Sequence, residues 1–156
     1  MTRVLVVSDS HGSRKNVEIA LKHPHDIAIH CGDFTDQQDF YTENFDYVIR
    51  GNNDYDSNLK DTVTFQIENF KCILTHGHLI SKWNSYPSKE EVITYAKSNK
   101  VDIAFFGHTH FPTFYERDKC YAINPGSIFL PRQGPEQTYL ILEIDKNDIK
   151  FEFKQI

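Results

Sequence analysis

Short apolar runs alternate with polar, glycine-marked breaks along this chain, and the alternation predicts strands and helices in turn. Val4-Leu5-Val6-Val7 is apolar at every position and rich in β-branched residues, as expected of a strand covered on both faces. A helix capped by Ser13 follows, with Val17, Ala20 and Leu21 at i, i+3 and i+4 spacing and Pro24 just beyond its end. Ile27-Ala28-Ile29 predicts a second strand, parallel to the first through a right-handed crossover. The polar and aromatic stretch from Thr35 to Phe45 reads as a short helix, and Tyr47-Val48-Ile49 as a third strand.

The second half has a different rhythm. Val63 to Ile67 and Lys71 to Thr75 flank Glu68-Asn69, which predicts a hairpin. Ser88 followed three residues later by Glu91 is a capping box, opening a helix with Val92, Ile93 and Ala96 turned inward. Ile103 to Phe106 is another buried strand. Thr113 to Glu116, Tyr121 to Ile123, Tyr139 to Ile144 and Ile149 to Phe153 read as antiparallel strands, the last two joined at Lys146-Asn147-Asp148. Strand–helix units first and hairpins later predict an α/β chain with a mixed sheet or two packed sheets. Without repeats, low-complexity tracts or a linker, residues 1–156 read as a single domain.

Composition narrows the class. With 156 residues, 39% hydrophobic and 25% charged, the chain is long enough to bury about 70% of its unfolded surface. A net charge of −5 argues against general nucleic-acid or anionic-membrane binding, so an anionic substrate needs a locally positive site. No apolar run approaches transmembrane length, and Val4–Val7 is too short for a signal-peptide core. Cys31, Cys72 and Cys120 are odd in number and widely spaced, fitting neither a disulfide framework nor a zinc ribbon; a reducing cytoplasm is the expectation.

The polar residues converge in kind. Five apolar runs close on Asp9-Ser10-His11-Gly12, His30-Cys31-Gly32-Asp33, Gly51-Asn52-Asn53-Asp54, Thr75-His76-Gly77-His78 and Gly107-His108-Thr109-His110. Loops at the carboxyl ends of strands are where sites of open α/β sheets are built. Asp9/His11, His76/His78 and His108/His110 share i, i+2 spacing, which in an extended chain sends both members to one side. A single histidine at a strand end is ordinarily a hydrogen-bonded structural residue, but five such ends sharing Asp, Asn and His point to a metal site. Imidazole with carboxylate and amide oxygen suits Mn, Fe or Zn better than Mg alone or Cu(I). The number of candidate ligands exceeds what one ion takes, so two ions about 3.5–4 Å apart fit better. Such a centre would carry the positive charge that an acidic protein needs to hold phosphate.

These residues, Asp9-x-His11, Gly32-Asp33, Gly51-Asn52-x-Asp54, His76 and Gly107-His108-x-His110, resemble the calcineurin-like metallophosphoesterases in order and spacing from residue 3 to about residue 127. Asn124-Pro125-Gly126-Ser127 and the short length are similar to the minimal bacterial and archaeal phosphodiesterase branch. The resemblance implies a four-layer α-β-β-α sandwich of two mixed β-sheets flanked by helices. It implies Asp9, His11 and His110 on a first divalent metal, Asn52, His76 and His108 on a second, and Asp33 bridging them. It further implies hydrolysis of a small phosphodiester, a nucleotide among the options, by an in-line hydroxide without a covalent intermediate. Manganese is the expected ion, with Zn, Fe or Ni as alternatives.

Asn53, Asp54 and His78 complete the catalytic candidates. Many members of the family carry His after the Asn of the third motif, whereas this chain has Asn53, whose amide can donate a hydrogen bond but cannot deliver a proton. Asp54 reads either as an acceptor orienting a loop or ligand, or as a turn residue. His78 reads either as a phosphate contact or as part of the rim. His30 reads as a packed strand residue, Asn124 and Ser127 as turn residues, and Arg132 as a solvated side chain with a phosphate clamp as the alternative. Two competing functions stand beside phosphodiester hydrolysis. One is a metal-binding scaffold of the same fold with little catalysis, as in the eukaryotic retromer. The other is a single-metal amidohydrolase-like enzyme, which the Gly51-Asn52-x-Asp54 motif disfavours.

Overall fold

A computed structural model describes residues 1–132 and 136–156. The chain runs β1 (Thr2–Val7), α1 (Arg14–Leu21), β2 (Ile27–His30), α2 (Gln38–Asn44), β3 (Tyr47–Val48), β4 (Thr62–Ile67), β5 (Phe70–Thr75), α3 (Lys89–Ser98), β6 (Ile103–Phe105), β7 (Thr113–Arg117), β8 (Cys120–Asn124), β9 (Thr138–Asp145) and β10 (Asp148–Gln155). One five-stranded sheet has the order β10-β9-β1-β2-β3 and the other β4-β5-β6-β8-β7. Both are mixed. β1, β2 and β3 are parallel while β9 and β10 are antiparallel additions. In the second sheet β5, β6 and β8 are parallel, and β4 and β7 are antiparallel edges.

The apolar runs explain the layering. In β1, Val4 and Val6 face the second sheet and share a core with Cys72, Leu74, Phe105 and Ile123. The alternate residues Leu5 and Val7 face outward and pack with Val17 and Ala20 of α1 and Tyr41 of α2. The outer face of the second sheet, through Ile73, Ala104 and Ala122, is covered by Val92, Ile93 and Ala96 of α3. Period-two alternation thus feeds three apolar interfaces between four layers, α-β-β-α, as expected.

Local details depart from the sequence reading in three places. Ser13 occupies the N-cap position of α1, but its side chain makes no capping hydrogen bond. The capping box at α3 does form, with Ser88 Oγ accepting from the Glu91 amide and Glu91 accepting from the Ser88 amide. The third strand is shorter than Tyr47 to Ile49, because Ile49 turns down into the inter-sheet core after only two paired residues. Tyr121 to Ile123 pairs antiparallel with β7 but parallel with β6, so that segment is not a purely antiparallel hairpin strand. The three cysteines are free and buried. Among the described residues no helix is long and apolar enough to cross a membrane.

Candidate metal centre

Parallel strands carry their carboxyl ends to one edge, so the loops after β1, β2 and β3 meet there, opposite those after β5 and β6. Backbone hydrogen bonds lock them together: the Asp9 amide donates to the Gly32 carbonyl at 3.0 Å, His11 to Asp33 at 3.0 Å and Gly107 to His76 at 2.9 Å. The chain does not stay extended through the i, i+2 pairs. Asp9, His11, Asp33, His108 and His110 all have positive φ, between 41° and 69°. Sharp turns, not strand pleating, are what bring these side chains inward. A left-handed non-glycine residue costs about 1–3 kcal/mol unless its surroundings enforce it, and such residues gather at functional sites. Gly51 and Gly107 permit the closest approaches. A Cβ at Gly51 would collide with the Asp33 carboxylate, and one at Gly107 with Ser8 Oγ and Asp9 Oδ2.

Two groups of potential ligands result, Asp9/His11/His110 and Asp9/Asp33/His76, sharing Asp9. Asp9 Oδ1 lies 3.1 Å from His110 Nε2 and 3.7 Å from both His11 Nε2 and His76 Nε2. Asp33 Oδ2 lies 3.2 Å from His76 Nε2 of its own group and 3.9 Å from His11 Nε2 of the other. The imidazoles are oriented from behind. His76 Nδ1 donates to the Cys31 carbonyl at 2.7 Å, and His110 Nδ1 to the Leu130 carbonyl at 2.5 Å, which leaves each Nε2 facing the carboxylates. Asp9 Oδ2 is occupied by the Ser8 hydroxyl and by the His108 amide, leaving Oδ1 for the centre.

Burial raises the Asp9 carboxyl, but the His76 charge and the neighbouring His11 and His110 imidazoles outweigh it and hold the group well below the usual carboxylate range. Asp33 is likewise held down against its burial by His76. Burial lowers His76, and the two carboxylates more than reverse this, bringing it to about 9. The two buried carboxylates therefore favour positive charge beside them. Asp9 Oδ1, Asn52 Oδ1, His76 Nε2 and His78 Nδ1 are buried without a hydrogen-bond partner. Such orphaned donors and acceptors are costly unless something else satisfies them. A nitrogen-and-oxygen donor set with unused lone pairs around two ionised carboxylates fits divalent metal.

The remaining candidates fall at different distances from this centre. The His108 ring lies 5.1 Å from the His76 ring and points its Nε2 at the Asn84 carbonyl, so it borders the two groups without belonging to either. Burial and the His76 charge lower its pKa to about 4. Asn52 Oδ1 is buried without a hydrogen-bond partner. Asn53 clasps Asp33, its amide N–H to Oδ1 at 2.9 Å and its Nδ2 to Oδ2 at 2.8 Å. Asp54 is spent on the backbone, accepting from Gly51, Asp33 and Thr35 at 2.7–2.8 Å, so it shapes the loops instead of touching reacting atoms. His78 is buried against the Trp83 ring, 5.5 Å from His76, with its pKa lowered by burial and by His76. His30 is a packed residue, fully buried between Phe34, Tyr41 and Phe45. Asn124 holds the Gly107 carbonyl and Thr109 Oγ1, and Ser127 holds the Asp9 carbonyl, so both brace ligand loops. Arg132 stacks over the Tyr86 ring. The carbonyls of Cys31, Leu130 and Asn84 that aim the imidazoles were invisible in the sequence, because a backbone carbonyl has no residue signature. Ser8 was visible only as a polar neighbour of Asp9.

The calcineurin-like phosphoesterase superfamily domain matches residues 2–147. The chain is 30% identical to a probable metallophosphoesterase of Mycoplasma pneumoniae over 98% of each chain. It is 29% identical to a phosphodiesterase of Methanocaldococcus jannaschii, covering 80% of this chain and 82% of that protein. Its fold matches the crystal structure of a predicted phosphoesterase from Streptococcus pneumoniae with a TM-score of 0.85, at 28% identity over 99% of this chain and 89% of the other.

Proposed function

The chain belongs to the calcineurin-like phosphoesterase superfamily, and from that premise we propose that it is a metal-dependent phosphodiesterase acting on small phosphodiesters at a two-metal centre. The observation that carries this reading is the pair of ligand groups meeting at Asp9, in which Asp9 Oδ1 and His76 Nε2 are buried without hydrogen-bond partners. On that reading Asp9, His11 and His110 would hold one ion, Asn52, His76 and His108 the other, and Asp33 would serve both. Two such dications would supply Lewis-acid charge and lower the pKa of water. The protein's own contribution is orientation. Asn53 fixes both oxygens of Asp33, the Cys31 and Leu130 carbonyls fix the tautomers of His76 and His110, and Asp54 ties the β2 and β3 loops into one frame. The buried cysteines offer no thiolate nucleophile, in keeping with direct attack by water. Manganese is the ion we assign, and the reducing cytoplasm the compartment.

One observation favours a scaffold instead: Tyr55, Trp83 and Tyr86 are 84%, 75% and 56% exposed beside the site loops. A single experiment separates the readings. Metal content by elemental analysis is measured together with turnover of bis(p-nitrophenyl) phosphate, before and after chelation. About two ions per chain are expected, with activity abolished by chelator and restored by Mn2+. Full turnover in metal-free protein would overturn the mechanism, and stoichiometric metal without turnover would favour the scaffold.

A further inference from the structure

An open groove of about 580 Å3 runs from Thr109, which sits between His108 and His110, past the rings of Tyr86, Phe111 and Tyr115. Tyr86 stacks on the His108 imidazole with centroids 4.7 Å apart, so the groove begins against a candidate metal ligand. Two cations border it. The Arg132 guanidinium lies 4.6 Å from the Tyr86 ring centre and the Lys89 ammonium 4.8 Å from that of Tyr115. Side-chain cations in ion pairs among the described residues are Arg3, Arg14, Arg50, Lys97 and Lys154, not these two. In a chain of net charge −5, two cations without carboxylate partners on one aromatic groove are a local excess of positive charge. Phe111 is 44% exposed and lines the groove.

Aromatic faces stack on planar rings, and a guanidinium or ammonium over a ring keeps its positive charge. The volume suits a nucleoside-sized group, within the about 300–1,000 Å3 usual for ligand sites. We propose that this groove is the subsite for one ester arm of the substrate, and that the arm carries a nucleobase-like ring and a negative charge of its own. Phe111 supplies the stacking face, and Arg132 and Lys89 supply the charge. The assignment rests on the phosphodiesterase reading above, since it is that reaction which gives the substrate two ester arms.

Equilibrium binding of adenosine 5′-monophosphate and of ribose 5-phosphate, with Mn2+ present, tests the assignment. The protein is expected to bind the adenine-bearing ligand about 5- to 100-fold more tightly, the range that base stacking supports. Phe111→Leu should remove most of that preference, and Arg132→Gln should weaken binding of adenosine 3′,5′-bisphosphate, whose second phosphate gives the arm a charge of its own, several-fold more than it weakens binding of adenosine 5′-monophosphate. Equal affinity for the two ligands, or an unchanged preference in both variants, would overturn the proposal. Turnover of bis(p-nitrophenyl) phosphate, read in parallel, keeps the two conclusions apart. Preference for adenine without turnover supports the groove and removes the phosphodiesterase reading, whereas turnover without preference removes the groove alone.

Discussion

At residue scale, the decisive side chains are those whose partners leave one polar atom unused. Asp33 lies between the His11 and His76 imidazoles and is gripped on both oxygens by Asn53, whereas His78 touches the centre only through ring contacts. On the proposed two-metal reading Asp33→Asn should therefore cut kcat/KM far more than His78→Ala, by about 100-fold or more against about tenfold or less, because Asp33 would serve both ions while His78 is one rim contact. Steady-state kinetics with metal content measured in each variant checks this. Equal losses at full metal occupancy would reverse the assigned roles. Asn53 makes a second expectation sharp. It orients Asp33 but has no proton to give a departing alkoxide, and a positioned general acid is worth about 10²–10⁴-fold. Activity should fall steeply as leaving-group pKa rises, and Asn53→His should flatten that dependence. A series of diesters of graded leaving groups measures both slopes, and identical shallow slopes would mean that position 53 has no part in protonation.

Elements enter through the loops that join them. β1, β2 and β3 run parallel and deliver three ligand loops to one edge, but it is Asp54 that keeps the second and third in register by accepting amides from both. Asp54→Ala strands the Gly51 and Asp33 amides, and a buried unpaired donor costs about 1–3 kcal/mol. A stability loss of about 2 kcal/mol or more is expected, with a smaller loss in Asp54→Asn, which retains one acceptor oxygen. Urea unfolding midpoints test this, and an unchanged midpoint in Asp54→Ala would release the residue from its bracing role. The same logic places Asn124 and Ser127 as braces of the loops after β6 and β1.

For the whole molecule, acid stability is set partly by His30. Its ring is fully buried among Phe34, Tyr41 and Phe45, and burial, the largest cause, pushes its pKa down to about 3. The unfolded chain takes up that proton near pH 6.5 while the folded chain still refuses it. Stability from this residue is therefore intact above pH 6.5 and declines as pH falls towards about 3, by at most about 1.4 kcal/mol per pH unit. Denaturant unfolding between pH 7 and 4.5 should show a shallower decline in His30→Gln than in the natural protein, and parallel curves would contradict this account.

Apolar periodicity and short polar motifs are local properties of the chain, so the element types, the five strand ends carrying Asp, Asn or His and the resemblance to the family were legible in the residues alone. The alternation in Val4–Val7 and the Ser88/Glu91 pair could be read directly for the same reason, since each involves residues no more than one helical turn apart. What only the tertiary structure decided depends on partners distant in the chain. The mixed pairing of β8 with β6 and β7 is one such case, and the failure of Ser13 to cap is another. So are the left-handed turns at Asp9, His11, His108 and His110, which cost energy locally and persist because hydrogen bonds from other loops enforce them. The same holds for the roles of Asn53 and Asp54. Neighbours in the chain, they differ only in which atoms of the β2 loop each one meets once the sheet has assembled, one holding the Asp33 carboxylate and the other the Asp33 amide.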